Sequence, residues 1–170
     1  MRSFFYWAVV TSALVAACGK DGGGPNTPGP AASVTVVSGN PQQGQAGQAL
    51  AAPLVVLVAD RSNRPVAGTV VTFTVPIGQG NLSATRDTTD AQGQASVTWT
   101  LGSQIGTTQV EARVTGVSGP AVFNATIVAG PASALQRVSN PPGTSAAGFE
   151  LPDSVAIKVA DQFGNAVANT

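Results

Sequence analysis

Few side chains in this 170-residue chain could carry out chemistry. It has no histidine and a single cysteine, Cys18. That pairing removes Ser-His-Asp and Cys-His nucleophiles, His-ligated metals and internal disulfides together. The carboxylates are Asp21, Asp60, Asp87, Asp90, Glu111, Glu150, Asp153 and Asp161. They are scattered, and none has a local spacing that suggests the acid–base pair of a glycosidase. Asp60, Asp87 and Asp90 match no calcium loop and read as turn residues. Formal net charge is zero and charged residues are 9% of the chain, so no basic field exists to attract nucleic acid. The expectation is a protein that is not an enzyme and uses no metal or cofactor.

What precedes Cys18 gives it a use. Arg2 is followed by an apolar run from Phe4 to Ala17. The run is shorter than the roughly 20 residues that cross a bilayer core, and it reads as the apolar part of a secretory signal. It ends in Leu14-Val15-Ala16-Ala17-Cys18-Gly19, which resembles the bacterial lipobox. The resemblance implies cleavage before Cys18, a thioether from its thiol to diacylglycerol, and a fatty acid such as palmitate on the new amine. Each buried methylene is worth about 0.8 kcal/mol, and two or more chains anchor stably where one does not. Gly19, in place of Asp after the cysteine, implies the outer membrane by the same resemblance. Residues 1–17 are thus a lipoprotein signal peptide, and 18–32 the lipidated Cys18 and a flexible Gly- and Pro-rich tether.

Beyond the tether come the elements that would position any site. From Ser33 the chain is a series of short Val- and Thr-rich runs between Gly, Pro, Asn and Asp clusters. Val34–Val37 reads as a first strand, ending at the turn segment Ser38–Gln48. Pro53–Ala59 is apolar on both faces, as a core strand would be. Thr69–Val75, Ala95–Leu101, Gln109–Val114 and Ala121–Val128 alternate at period 2, which predicts two packed antiparallel sheets. Phe73, Val97, Trp99, Leu101 and Phe123 fall on the inward phase and are the expected core. Trp99 is in phase with Val97 and Leu101, so it reads as core rather than as a sugar-stacking platform. Gln42, Gln43, Gln45 and Gln48 read as a solvated loop rather than a sugar site.

The runs VADRSNRPVAGTVVTFTV, TTDAQGQASVTWTLG and GTTQVEARV resemble the bacterial immunoglobulin-like group 1 domains of intimin and invasin type adhesins. The shared pattern is an Asp-led turn, Pro-Val-x-Gly, a Val/Thr strand, then Thr-Asp-x-x-Gly-x-Ala and a further strand. It implies an all-β, immunoglobulin-like antiparallel sandwich over about Ser33–Gly130, with Asp60, Asn63, Gly68, Asp90 and Gly93 as structural turn residues. Asn63 stands where the family usually has Gly. Asn is the best non-Gly residue for a left-handed backbone, so the turn can survive the change. Asp90-Ala91-Gln92-Gly93 reads as a hairpin turn with the Asp carboxylate capping backbone amides.

Val58, Ala59, Asp60, Val66, Ala67 and Thr69 recur as Val159, Ala160, Asp161, Val167, Ala168 and Thr170, at an offset of 101. Ala32-Ser33 and Asn40-Pro41 recur as Ala132-Ser133 and Asn140-Pro141 at an offset of 100, which places a one-residue insertion between. A period near 100 suits tandem sandwiches. The sandwich at 33–130 is therefore expected to be followed, at 131–170, by the truncated start of a second. The leading expectation is a non-catalytic envelope lipoprotein with tandem units acting as a stalk or adhesion module. It would meet the membrane through its anchor and a surface glycan or protein through its loops. A carbohydrate- or polymer-binding module, and an accessory spacer of a larger envelope enzyme, are the alternatives.

Overall fold

Alternation of apolar and polar side chains gives each strand of the sandwich one face for burial and one for water. The computed structural model describes residues 27–138 and 156–168, which hold strands and turns and no helix. The strands are β1 (Ser33–Ser38), β2 (Gln42–Gln45), β3 (Leu54–Ala59), β4 (Val70–Thr74), β5 (Gly80–Leu82), β6 (Arg86–Thr88), β7 (Gln94–Val97), β8 (Trp99–Leu101), β9 (Gly106–Val114), β10 (Ala121–Val128), β11 (Ala134–Arg137) and β12 (Ile157–Ala160). One sheet has the order β1-β3-β7, the other β2-β10-β9-β4-β6. The pairs β5-β8 and β11-β12 each form a separate two-stranded sheet.

Leu54, Val56, Val58, Ala95 and Val97 face Val71, Phe73, Val110, Ala112, Phe123 and Ile127 across the core, with Trp99 and Leu101 from β8. Burying each large side chain of this set contributes about 1.5–3 kcal/mol.

Ala95–Leu101 is two strands, not one. Pairing of β3 with β7 ends at Leu54 opposite Val97. After Thr98 the chain pairs with β5 instead, while Trp99 O accepts from Leu50 N–H and Leu101 N–H donates to Gln48 O. The alternation runs through the change of partner, so Val97, Trp99 and Leu101 all stay buried.

The segment Ser38–Gln48 is likewise not all turn. Gln42–Gln45 forms β2, the one parallel partner among the pairs of the sandwich, with Gln42 opposite Ala125. Gln42 braces this edge: its Nε2 donates to Gly39 O and Ala52 O, and its Oε1 accepts from Ala52 N–H. Strands β5 and β6 carry no apolar period, and their pairing with β8 and β4 was not visible in the sequence. Strand β9 begins at Gly106, before Gln109, because Gly106–Thr108 pairs with Ala125–Ile127.

Strand direction fixes where the chain enters and leaves the sandwich. β1 starts at Ser33 opposite Ala59, at the end that also holds Val114 and Ala121. β10 runs away from that end for eight residues, roughly 25 Å at about 3.3 Å per residue, and finishes at Val128 beside Gln45. Entry and exit lie at opposite poles.

Candidate functional site

The entry pole is built around a carboxylate. At the end of β3, Asp60 N–H donates to Arg64 O, and Asn63 N–H donates to Asp60 O, closing a tight turn. Asn63 sits at φ 58, the left-handed region its short amide tolerates. Asp60 is buried, and its Oδ1 accepts from Ser62 N–H (2.8 Å) and Arg64 N–H (3.0 Å). Its Oδ2 accepts from Gly29 N–H (2.8 Å) and Arg64 Nε (2.9 Å), and Arg64 Nη2 lies 2.9 Å away. One side chain thus shapes the turn and holds the residue by which the chain enters the domain.

Gly68, Asp90 and Gly93 are brought to the same pole. Gly68 N–H donates to Thr89 O, and the buried Thr89 hydroxyl donates to Val66 O while accepting from Thr69 N–H. Asp90 Oδ1 caps Gln92 N–H and Gln94 N–H, both at 2.9 Å. Gly93, at φ 72, accepts from Val58 N–H, which ties the two Asp-led turns together. The Asp90 turn is not a hairpin, however. It joins β6 of one sheet to β7 of the other, because β6 pairs with β4 and β7 with β3. Asp87 latches this crossing by accepting from Ser96 N–H at 2.7 Å.

The Asp60 carboxyl is held below the usual carboxylate range, first by Gly29 N–H and then by the Arg64 and Ser62 donors, against the opposing effect of burial. Asp161 is pushed up by burial, but donors from Asn165, Gly130 and Phe163 outweigh that and bring it down to about 2. Both bind protons less tightly folded than unfolded, where Asp titrates near about 3.9. Their stabilisation is therefore present above pH about 4 and lost as pH falls, for Asp161 toward about 2 and for Asp60 further still. Acid unfolding followed by circular dichroism should show stability dropping across that window. Asp60→Asn should flatten the drop, and an unchanged slope would show that Asp60 does not set it.

Asp161 repeats the whole arrangement. Its Oδ1 accepts from Phe163 N–H and Asn165 N–H, and its Oδ2 from Gly130 N–H, with Gly164 at φ 84 in the place of Asn63. β11 pairs with β12 through Ala134 opposite Ala160, as β1 pairs with β3 through Ser33 opposite Ala59. Ala32 N–H donates to Ala59 O, and Ser133 N–H to Ala160 O. The offset is thus 101 at both β11 and β12, not the 100 taken from Ala32-Ser33, so there is no net insertion between these two strands. The match missed in the sequence is Gly29-Pro30-Ala31 with Gly130-Pro131-Ala132.

Phe73, Val97, Trp99, Leu101 and Phe123 are all buried in the sandwich. Trp99 is 0% exposed and presents no face for a sugar. Among the described residues no group of three or more His, Cys, Asp or Glu could hold a metal, and no helix is long and apolar enough to cross a membrane. Cys18 and the rest of 1–26 lie outside the described residues.

The geometry defines an immunoglobulin-like β-sandwich with Asp-centred turns at its entry pole. The model of the bacterial Ig-like domain (group 1) matches residues 33–128, and the chain belongs to that family. No curated relative matches. Among solved structures, the D0-D1 domain of intimin is 28% identical with a TM-score of 0.44, covering 56% of this chain and 46% of that one. The Escherichia coli adhesin FdeC is 17% identical with a TM-score of 0.50, covering 78% and 41%. The Yersinia pseudotuberculosis adhesin InvE is 21% identical with a TM-score of 0.45, covering 63% and 29%. The chain spans less than half the length of each.

Proposed function

We propose that this chain is a non-catalytic envelope lipoprotein, anchored through Cys18, whose Ig-like units in series form a surface stalk or adhesion module. The observation that carries the reading is the placement of entry and exit at opposite poles, with one Asp-centred clamp on Gly29 and a second on Gly130. Units joined in that way extend end to end, away from a tether. The register shared by β1-β3 and β11-β12 supports residues 131–170 as the start of a second unit. The polar groups at the entry pole are occupied by backbone amides, which supports a scaffold role over a reaction site.

Lipid attachment is the testable core of this reading. Cys18→Ser should leave an unprocessed precursor and abolish labelling with a fatty-acid probe. Equal labelling of variant and wild type would overturn the anchor.

A further inference from the structure

The two Asp-centred turns are alike in their inner hydrogen bonds and differ in what they present outward. In the first, Arg64 folds back on Asp60 through Nε and Nη2. In the second the same position is Asn165, whose Nδ2 donates to Asp161 Oδ2 (2.9 Å) and also to Ser103 O (2.7 Å) of the first sandwich. Ser62 of the first turn is replaced by Phe163, and the Phe163 ring lies against Gly47. A Cβ on Gly47 would sit 2.6 Å from Phe163 Cζ, so the ring occupies space that only glycine leaves open. Gly47 is fixed in turn: it has φ 74, and its N–H donates to Gly102 O. On another side of the junction, Ile105, Ile127 and Val128 share an apolar groove of about 720 Å³ with Ala166 and Val167.

Asp60 and Asp161 clamp the entering chain alike, with Asn165 Nδ2 in the place of Arg64 Nε, so the clamp explains neither Phe163 against Gly47 nor the second bond from Asn165 to Ser103 O. We propose that the exit pole of the first sandwich, formed by Gly47, the Ser103 carbonyl and the apolar groove, is a docking seat for the Asp-centred turn of a following Ig-like unit. Phe163 and Asn165 are the residues that set the angle between the units. This rests on residues 131–170 being the start of a second unit. The partner that fits is a unit with an aromatic residue two positions after its turn Asp and Asn four positions after it. The first unit, with Ser62 and Arg64 there, lacks both groups.

The test gives the second turn the outward face of the first. In the full chain held in detergent, NMR should show a Gly47 α-proton shifted by the ring current of Phe163, whose Cζ–Cε2 edge lies against it, and the two units tumbling as one body. Phe163→Ser combined with Asn165→Arg should abolish that shift and separate the tumbling. The Gly130 amide should stay slow to exchange, since Arg at 165 can pair with Asp161 as Arg64 does with Asp60. Asn165→Arg alone should loosen the joint with the Asp161 turn intact. An unaltered Gly47 shift with joint tumbling in the double variant would overturn the proposal. So would a wild-type chain that pairs Leu135 with Val159 but shows no Gly47 shift. Absence of the Leu135–Val159 contact in the wild type would instead overturn the second-unit reading itself.

Discussion

Trp99→Ala is expected to cost about 3–5 kcal/mol, as large-to-small changes in a packed core do. The side chain is 0% exposed, lies where the chain passes from one sheet pairing to another, and sits between Val97 and Leu101 on the buried phase. Its removal empties a volume whose walls are two sheets that cannot close together without shifting their ladders. Urea denaturation of the wild type and variant measures the loss. With Trp7 replaced by Phe, emission reports Trp99 alone, and it should be blue-shifted and resistant to acrylamide. Among the described residues the indole Nε1 meets no hydrogen-bond acceptor. Trp99→Phe removes that unsatisfied donor together with some volume, and should therefore cost far less than Trp99→Ala. Similar losses for the two variants, or red and fully quenched emission, would show that Trp99 does not pack between the sheets.

Gly80→Ala should rank second, at about 2–5 kcal/mol, combining overpacking of about 1–3 with a left-handed backbone penalty of about 1–2. Gly80 has φ 116, and an added Cβ would overlap Thr100 O and lie 2.8 Å from Gly102 N. Those neighbours are backbone atoms of β8 and of the residue that follows it, so no side chain can swing aside. Gly68→Ala is the control. Its φ of 72 is also positive, but nothing lies within 4 Å of the new Cβ, so only the conformational cost of about 1–2 kcal/mol applies. Equal midpoints for the two variants in thermal unfolding would show that the close approach at Gly80 is not felt.

These two results bear on how the sandwich is held; the junction bears on what it is used for. A fixed angle between units would carry an attached tip to a defined place, whereas a hinge would let it sample the surroundings. On the tandem arrangement proposed above, that choice rests on Phe163 and on the bond from Asn165 to Ser103 O, since the clamping carboxylate recurs at Asp60 and Asp161.

Period-2 alternation wrote the fold into the sequence. Phe73, Val97, Trp99, Leu101 and Phe123 could be assigned to the interior because alternate residues of a strand must face opposite sides. The Asp-led turns were legible for an equally local reason. A carboxylate two to four residues before backbone amides can cap them without help from the rest of the chain. Pairing partners were not legible. The strand that seemed continuous from Ala95 to Leu101 changes partner at Thr98, where its ladder with β3 ends and β5, Gln48 and Leu50, all distant in sequence, take over. Strands β2, β5 and β6 have no apolar period of their own, and only their neighbours make them strands. The bond from Gly29 N–H to Asp60 Oδ2 spans 31 residues, and that from Asn165 Nδ2 to Ser103 O spans 62. Local chemistry therefore determined which residues are inward and where the chain turns. Only the folded chain decided which carboxylate oxygen meets which distant amide, because those distances are set by how the sheets pack.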